Sequence, residues 1–456
     1  VNFHLIGIGG AGMSVVAALL LAEGHEVSGS DAKESANTRD LERAGAKIFI
    51  GQAAGNVPAN AIVVHSTAIR PENPELRIAR ERGQKILHRS QALAFAAGER
   101  DFIGVAGAHG KTTTSAMLAV ALQEAGADPS WAIGGSVRDH GSGGHLGAGR
   151  VLVAEADESD ASFLNYHPRV ALVTNVEPDH LDHYGTREAF EAAFVEFAHR
   201  IVPGGLLVVC ADDAGARRLG EQAAREGIRV ASYGRGEAVS GVSQHALLRG
   251  HGNCQVELTP EVGAEFSLRV PGAHNELNAA GAWLTGVDLG IDPAQMARGL
   301  ESFTGTGRRF ELRGQCGGVE VYDDYAHHPT EVAATLRAAR EKTSGAVRVL
   351  FQPHLYSRTR NFAAEFAEAL ALADEAIVTS VYGAREDPFD GIEGNLITNL
   401  MDGAAAQFIA DRHQAACTLA DAANPGDLLL TMGAGDVTEL GPEVLDRLGA
   451  RFGAQR

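Results

Sequence analysis

The sequence predicts an α/β protein of three domains with mostly parallel sheets. Three observations carry that expectation. Two glycine-containing loops, at residues 7–12 and 107–110, each follow a short apolar run and lead into a helical pattern, the strand–turn–helix punctuation of a parallel sheet. Strands and helices alternate again through the last third of the chain. Finally, 456 residues exceed what one core organises, and domain-size priors give about three domains.

Composition narrows the function. Apolar residues make up 45% and charged residues 21%, as in a globular protein with ample core. A net charge of −19 argues against nucleic acid or an anionic membrane as partner, because either needs a basic face. Nucleotides remain possible ligands if the positive groups are local. Lysines are scarce (Lys33, Lys47, Lys85, Lys111, Lys342), so one in a glycine loop is notable. Cys210, Cys254, Cys316 and Cys417 lie far apart with no C-x-x-C, which fits reduced thiols and neither zinc nor a disulfide framework. No signal-peptide pattern is present, and the longest apolar helix candidate, residues 13–22, is about half a membrane span. A soluble, cytoplasmic protein is expected.

Residues 3–8 read as a strand running into Gly7, Gly9, Gly10 and Gly12, with a helix from Met13 and a second strand, from Glu26, ending at Asp31. Gly7, Gly9 and Gly12 satisfy G-x-G-x-x-G, and Asp31 stands where a ribose-binding acid is expected. In isolation this says NAD. The unit ends near residue 98, however, which leaves room for one mononucleotide-binding half plus a little. A diphosphate on the first helix N-terminus, at Gly9, Gly10, Ala11 and Gly12, carrying something other than nicotinamide, suits the length better. Residues 61–64 form another strand, running out at His65, Ser66 and Thr67. Ligands gather at carboxyl ends of strands, so Ser66 and Thr67 are candidate contacts, although such residues more often cap a turn.

The second loop runs Gly107-Ala108-His109-Gly110-Lys111-Thr112-Thr113 after the strand at residues 102–105, and an amphipathic helix is expected through Ala125, stopped by Gly126. Backbone N–H groups and the helix N-terminus would face an anion, Lys111 would reach β- and γ-phosphates, and the Thr112 hydroxyl would hold Mg²⁺. The usual phosphate loop needs glycine at position 105, where this chain has Val105, so the loop is a shorter variant. A strand at 150–155 ends in Glu155, followed by Asp157, Glu158 and Asp160; another ends in Asn175, followed by Glu177, Asp179, His180 and Asp182. An acid at a strand end beside a phosphate loop is the usual second holder of Mg²⁺, which picks out Glu155. His180 is less typical, since Mg²⁺ prefers oxygen, and it could instead orient carboxylates. After an expected antiparallel patch at 228–270, a helix opens near Ala273 and places Asn275 and Asn278 on one face.

A glycine-rich hinge at 304–307 precedes Arg308 and Arg309, and a third α/β unit follows. Its strands begin at Val319, Val347, Ala376 and Leu428. Their ends carry Asp323, Asp324, His327 and His328, then His354, Leu355 and Arg358, then Gly433, Gly435 and Asp436.

Taken together these motifs resemble the Mur ligase family over nearly the whole chain. The residues that carry the resemblance are Gly7-Ile8-Gly9-Gly10-Ala11-Gly12-Met13, Gly107-Ala108-His109-Gly110-Lys111-Thr112-Thr113-Thr114, Glu155-Ala156-Asp157-Glu158-Ser159-Asp160, Asn175-Val176-Glu177-Pro178-Asp179-His180-Leu181-Asp182, His274-Asn275-Glu276-Leu277-Asn278 and Asp323-Asp324-Tyr325-Ala326-His327-His328-Pro329-Thr330. Any one alone is weak; six in order at the family's spacing are specific.

The resemblance implies a Rossmann-like first domain (1–99) for a UDP-sugar, with Gly9, Gly10, Ala11, Gly12, Asp31, Ser66 and Thr67 as contacts. It implies a central P-loop ATPase-like domain (100–305) and a mobile Rossmann-like C-terminal domain (306–456) that receives an amino acid. Gly107, Ala108, His109, Gly110, Lys111, Thr112 and Thr113 would bind ATP phosphates. Thr112, Glu155 and His180 would serve Mg²⁺ or Mn²⁺. Asn275 and Asn278 would meet the nucleotide near adenine, with Arg309 and Asp324 approaching from the last domain. His327 and Arg358 belong to the amino-acid and sugar-carboxylate region, and His327 is the candidate base for the amine.

The implied reaction joins L-alanine to the lactyl carboxylate of UDP-N-acetylmuramate through an acyl phosphate, in a monomer or weak homodimer. Three departures from the family's pattern stand out: Ala108 replaces a usual threonine, Leu355 replaces an arginine of many relatives, and no lysine lies between Lys111 and Lys342 to serve as the carbamylated metal ligand of other members. The last agrees with the alanine-adding branch. A recycling ligase that adds a preformed tripeptide, an NAD-dependent oxidoreductase and a nucleotide-gated binding protein are the competing readings.

Overall fold

Apolar runs that alternate with helices and carry few polar positions bury both faces, and the first hundred residues fold on that rule. β1 (Asn2–Ile6), α1 (Ala11–Ala22), β2 (Glu26–Asp31), α2 (Ala36–Arg43), β3 (Lys47–Ile50), β4 (Ile62–His65), α3 (Pro74–Glu81), β5 (Ile86–His88) and α4 (Arg89–Ala97) follow in order. The sheet is wholly parallel in the order β3-β2-β1-β4-β5. Its winding reverses between β1 and β4, which opens a crevice at their carboxyl ends. The structure, a computed structural model, describes all residues except Ser142, His180, Arg385, Phe389, Asp390, 402–404 and 454–456, and except the side chains of Ala11, Leu181 and Asp182.

The second sheet is built from β6 (Asp101–Ala106), α5 (Lys111–Glu124), β7 (Ser130–Ala132), β8 (Gly144–His145), β9 (Val151–Glu155), β10 (Val170–Val173), α6 (Leu181–Tyr184), α7 (Arg187–His199), β11 (Leu206–Cys210), α8 (Ala214–Arg225), β12 (Val230–Gly234), β13 (Gln244–Arg249), β14 (Asn253–Thr259), β15 (Val262–Ser267), α9 (Ala273–Asp288) and α10 (Pro293–Ser302). Its order is β15-β14-β13-β12-β11-β10-β6-β9-β7-β8. Two expectations change here. The run from 228 is not an antiparallel patch throughout, because β12 and β13 continue the parallel sheet and only its β13–β14 and β14–β15 pairings are antiparallel. Nor is α5 amphipathic: residues 114–122 are buried on every side. α10 crosses it so closely that a Cβ on Gly299 would stand 2.5 Å from the Ala121 Cα.

The third sheet comprises β16 (Glu311–Cys316), β17 (Val319–Asp324), α11 (Pro329–Lys342), β18 (Val347–Phe351), α12 (Tyr356–Asn361), α13 (Ala363–Leu370), β19 (Glu375–Val378), α14 (Asn395–Thr398), β20 (Ala405–Phe408), α15 (Arg412–Ala422), β21 (Leu428–Met432) and α16 (Gly441–Phe452). Its order is β16-β17-β21-β18-β19-β20, with β16 antiparallel and the rest parallel. Buried clusters cover both faces, Val349, Phe351 and Phe366 on one and Leu350, Ile377 and Leu429 on the other. The chain divides into two compact units: Val1–Leu268 with Leu277–Thr304, and Arg269–Glu276 with Gly305–Arg456. The first two sheets share the first unit. The four cysteines, all described, form no disulfide, and no helix among the described residues is long and apolar enough to cross a membrane.

One buried acid joins β1, β2 and α3. Glu75 accepts from the Ser30 hydroxyl at 2.5 Å, Asn56 Nδ2 at 2.8 Å and Ala53 N at 3.1 Å, with His4 Nε2 at 3.3 Å. Burial alone would raise its pKa, but the bonds from His4, Ser30 and Asn56 outweigh that and hold it below the usual carboxylate value. A lowered folded-state pKa adds stability above the unfolded value, lost as pH falls through the folded one. Glu75→Gln is therefore expected to cost about 1–3 kcal/mol at neutral pH, and to flatten the loss of stability below pH 4.5, as urea unfolding against pH would read.

Candidate active site

β6 delivers the chain into a loop whose shape depends on two glycines. Gly107 (φ +135°) and Gly110 (φ +80°) occupy backbone conformations that favour glycine. Gly107 is also crowded, since a Cβ there would stand 2.2 Å from Thr174 Oγ1 and 3.1 Å from Asn175 N. The neighbouring strand end fastens the loop. His109 N donates to Asn175 Oδ1 (3.0 Å), while Asn175 Nδ2 (2.9 Å) and Thr174 Oγ1 (2.6 Å) donate to His109 O. His109 Nε2 lies 2.8 Å from a Glu177 carboxylate oxygen. α5 starts at Lys111 with no side-chain cap and no acid in its first turn, so its N–H groups and positive end are available to an anion. Ala108, Thr112 and Thr113 are half-buried around this opening. Asn278 faces Gly110 closely, its carboxamide oxygen 3.0 Å from where a Cβ would be.

Lys111 turns across the loop rather than into solvent. Its ammonium donates to Gly107 O (2.6 Å) and to both carboxylate oxygens of Glu158 (2.9 and 2.8 Å). Burial would lower the Lys111 pKa, but Glu158, Asp157 and Glu155 raise it, so the ammonium stays charged. Burial raises the Glu158 pKa, the adjacent Lys111 ammonium opposes the rise, and the pair stands as ammonium and carboxylate. Glu155 ends β9 opposite Val105 of β6 and accepts Gly134 N at 2.7 Å, which leaves its second oxygen unoccupied by that bond. Hydroxyl and carboxylate oxygens, as on Thr112 and Glu155, are the donor type Mg²⁺ selects. His180 lies outside the described residues.

In the first sheet, residues 7–10 form the turn into α1, which begins at Ala11 and whose N-cap Gly10 supplies no side chain. Asp31 braces this turn: Oδ2 accepts Gly9 N (2.9 Å) and Oδ1 accepts Ala32 N (2.8 Å). A carboxylate has about four lone-pair positions, so a ribose hydroxyl can still be accepted. Gly12 is glycine because a side chain lies against it: its Cβ would stand 2.6 Å from Arg89 Nη1. Ser66 O accepts Ile69 N (3.1 Å) in a turn, Ser66 is half-buried and Thr67 is exposed.

The remaining candidates belong to the second unit. Asn275 is buried and donates to Pro271 O (2.6 Å) at the start of its own helix. Asp324 is also buried. Oδ2 accepts Phe310 N (2.7 Å), and Oδ1 accepts Ala326 N (2.9 Å) and Thr335 Oγ1 (3.1 Å). Burial pushes its pKa up to about 6. It thus braces the turn that carries Arg309, whose guanidinium lies 3.3 Å from Glu331 and 5.1 Å above the Tyr325 ring. His327 Nδ1 is 3.0 Å from Tyr325 O, and its ring is 5.9 Å from that of His354. Arg358 is buried with Nη1 3.3 Å from His354 Nδ1. Leu355 is buried as well.

Three family models match in series. Residues 2–100 match the Mur ligase family catalytic domain, 105–286 the Mur ligase middle domain and 308–435 the Mur ligase glutamate ligase domain. The chain belongs to the Mur ligase family. A UDP-N-acetylmuramate–L-alanine ligase of Renibacterium salmoninarum is 52% identical over 98% of this chain and 95% of its own length. One of Kineococcus radiotolerans is 53% identical over 98% and 96%. Among solved structures, the UDP-N-acetylmuramate-alanine ligase of Thermotoga maritima superposes with a TM-score of 0.76 at 29% identity, covering 99% of both chains.

Within this Mur ligase two residues that stand beside the candidate loops, Glu158 and Arg89, carry no clear sequence signal. Glu158 stands among four acids between 155 and 160, and nothing local in the sequence marks it as the one that meets Lys111. Arg89 left a fainter sign: a cation in the first turn of α4, where the helix dipole disfavours it. The crowding at Gly107 makes a sharp test. Gly107→Ala is expected to destabilise the protein by about 1–3 kcal/mol, whereas Ala108→Thr should leave the melting temperature unchanged.

Proposed function

We propose that this Mur ligase joins L-alanine to the lactyl carboxylate of UDP-N-acetylmuramate, converting ATP to ADP and phosphate. The observation that carries the reading is the Lys111 ammonium set across a glycine loop at the open start of α5, with Glu155 at the adjacent strand end. Identities of 52% and 53% to alanine-adding ligases over nearly the full chain support the choice of substrates.

The chemistry follows from those groups. A carboxylate resists attack by an amine, so one of its oxygens must become a leaving group. The lactyl carboxylate attacks the γ-phosphorus, the β–γ bridging bond breaks, and ADP leaves with the bonding electrons. The amine then adds to the acyl phosphate carbonyl, loses a proton, and expels phosphate. Two anions must meet in the first step. Lys111 and the N–H groups of α5 neutralise charge on the phosphates, and Asn278 stands beside the loop to receive the nucleotide. Thr112 and Glu155 would hold Mg²⁺, with His180 the candidate at a second ion; the ion when bound supplies further neutralisation of phosphate charge. His327 is the residue assigned to the amine, its Nδ1 held 3.0 Å from Tyr325 O. Residues 1–99 take the UDP-sugar, its diphosphate on Gly9, Gly10 and the start of α1 beside Arg89, with Asp31 toward the ribose. Residues 306–456 take the amino acid, with His327 and Arg358 in that region, while Arg309 and Asp324 of the same domain serve the nucleotide. The work is cytoplasmic, where ATP and the UDP-sugar are available.

Phosphate release is expected only when ATP, UDP-N-acetylmuramate and L-alanine are all present, and Lys111→Ala should lower kcat by about 10³-fold. Release with a preformed tripeptide in place of L-alanine would overturn the choice of amine. Release without any amine substrate would overturn the ligase itself.

A further inference from the structure

The ammonium of Lys111 has three N–H donors, and three acceptors already meet it: Gly107 O at 2.6 Å and the Glu158 oxygens at 2.9 and 2.8 Å. A phosphate oxygen can reach this ammonium only by taking one of those places. Glu158 is the acceptor most like a phosphate, being anionic and presenting two oxygens. It is also firmly placed. Glu158 is fully buried, and the Tyr184 hydroxyl donates to its backbone carbonyl. The segment around it is closed by Asp157 Oδ1 accepting Ser159 N (3.1 Å) and Asp160 Oδ1 accepting Ser162 N (2.9 Å). Asn165 Nδ2 ties its far end to Ser90 Oγ at 2.7 Å. A buried pair held this way is not an incidental surface contact, and removing one partner leaves the other charge uncompensated.

We propose that Glu158 is a positioning residue for the ligase reaction: an internal counterion that parks Lys111 across the loop until a nucleotide phosphate takes the ammonium over. The inference rests on the loop being the ATP site. Two opposing consequences follow. The carboxylate competes with ATP and weakens binding, because the competent state is reached only by breaking an internal ion pair. The same carboxylate keeps the lysine extended and aimed, which serves the chemical step.

Titration of ATP into the whole protein without other substrates, by calorimetry, tests this. Glu158→Gln keeps the shape and removes the charge, and is expected to bind ATP about tenfold more tightly while its kcat falls. Asp160→Asn removes the same charge from the same segment without touching Lys111, and should leave ATP affinity as in wild type. Should Glu158→Gln fold poorly, Tyr184→Phe loosens the Glu158 backbone conservatively and is expected to shift ATP affinity in the same direction. Unchanged or weaker ATP binding in a folded Glu158→Gln or Tyr184→Phe protein overturns the proposal, as does an equal gain in Asp160→Asn. Failure of the wild type to bind ATP would instead overturn the assignment of the loop.

Discussion

The close approach of Gly107 to Thr174 governs the central half of this molecule. Two parallel strands, β6 and β10, lie side by side, and the turn leaving the first is drawn over the end of the second by four groups on Thr174, Asn175 and His109. Any side chain at Gly107 would separate them. Because the turn is drawn in, Gly107 presents its carbonyl to Lys111, α5 begins without a cap, and Gly110 reaches Asn278. The open, uncapped start of α5 is here the by-product of a packing contact, its N–H groups supplied by backbone that has nowhere else to point.

An acidic protein that handles anionic ligands must place its cations individually. Lys111 meets this with an internal partner that keeps a buried charge compensated. Arg89 meets it by lying flat on Gly12 beside the uncapped start of α1. Each cation is positioned by a glycine, Gly107 or Gly12, whose missing side chain leaves room for it or for its acceptor. Asp31 and Asp324 show the complementary use of carboxylates: each accepts backbone N–H groups and fixes a turn at a strand end.

Much of this was legible in the chain. Glycine placement announced both loops, and apolar runs ended where the strands end, because a parallel strand buried on both faces leaves no ambiguity about its limits. What was hidden depends on long-range packing. α5 looked amphipathic because the threonines and serine at its start imply a wet face, yet α10 covers it. β12 looked like part of an antiparallel patch because direction is not written in periodicity, whereas only the pairings from β13 onward are antiparallel. β16 and β20, edge strands with charged or small residues, carry no strand-like pattern at all. The partnership of Lys111 with Glu158 joins residues 47 apart, and no local rule selects one acid from the four between 155 and 160.

The chain changes compact unit three times, at residues 268/269, 276/277 and 304/305. The short middle visit, Arg269–Glu276, packs within the second unit, where Gly272 approaches the Ala338 side chain of α11 and burial drives His274 down to about 4. A fragment cut at Gly305 would therefore lose eight residues that pack with it, among them the buried Asn275 and Glu276. The second unit is thus not a module that can be lifted out by one scission: it is sewn to the rest of the polypeptide at both ends of α9 and α10, and evolutionary exchange of this portion between relatives would have to carry both pieces together.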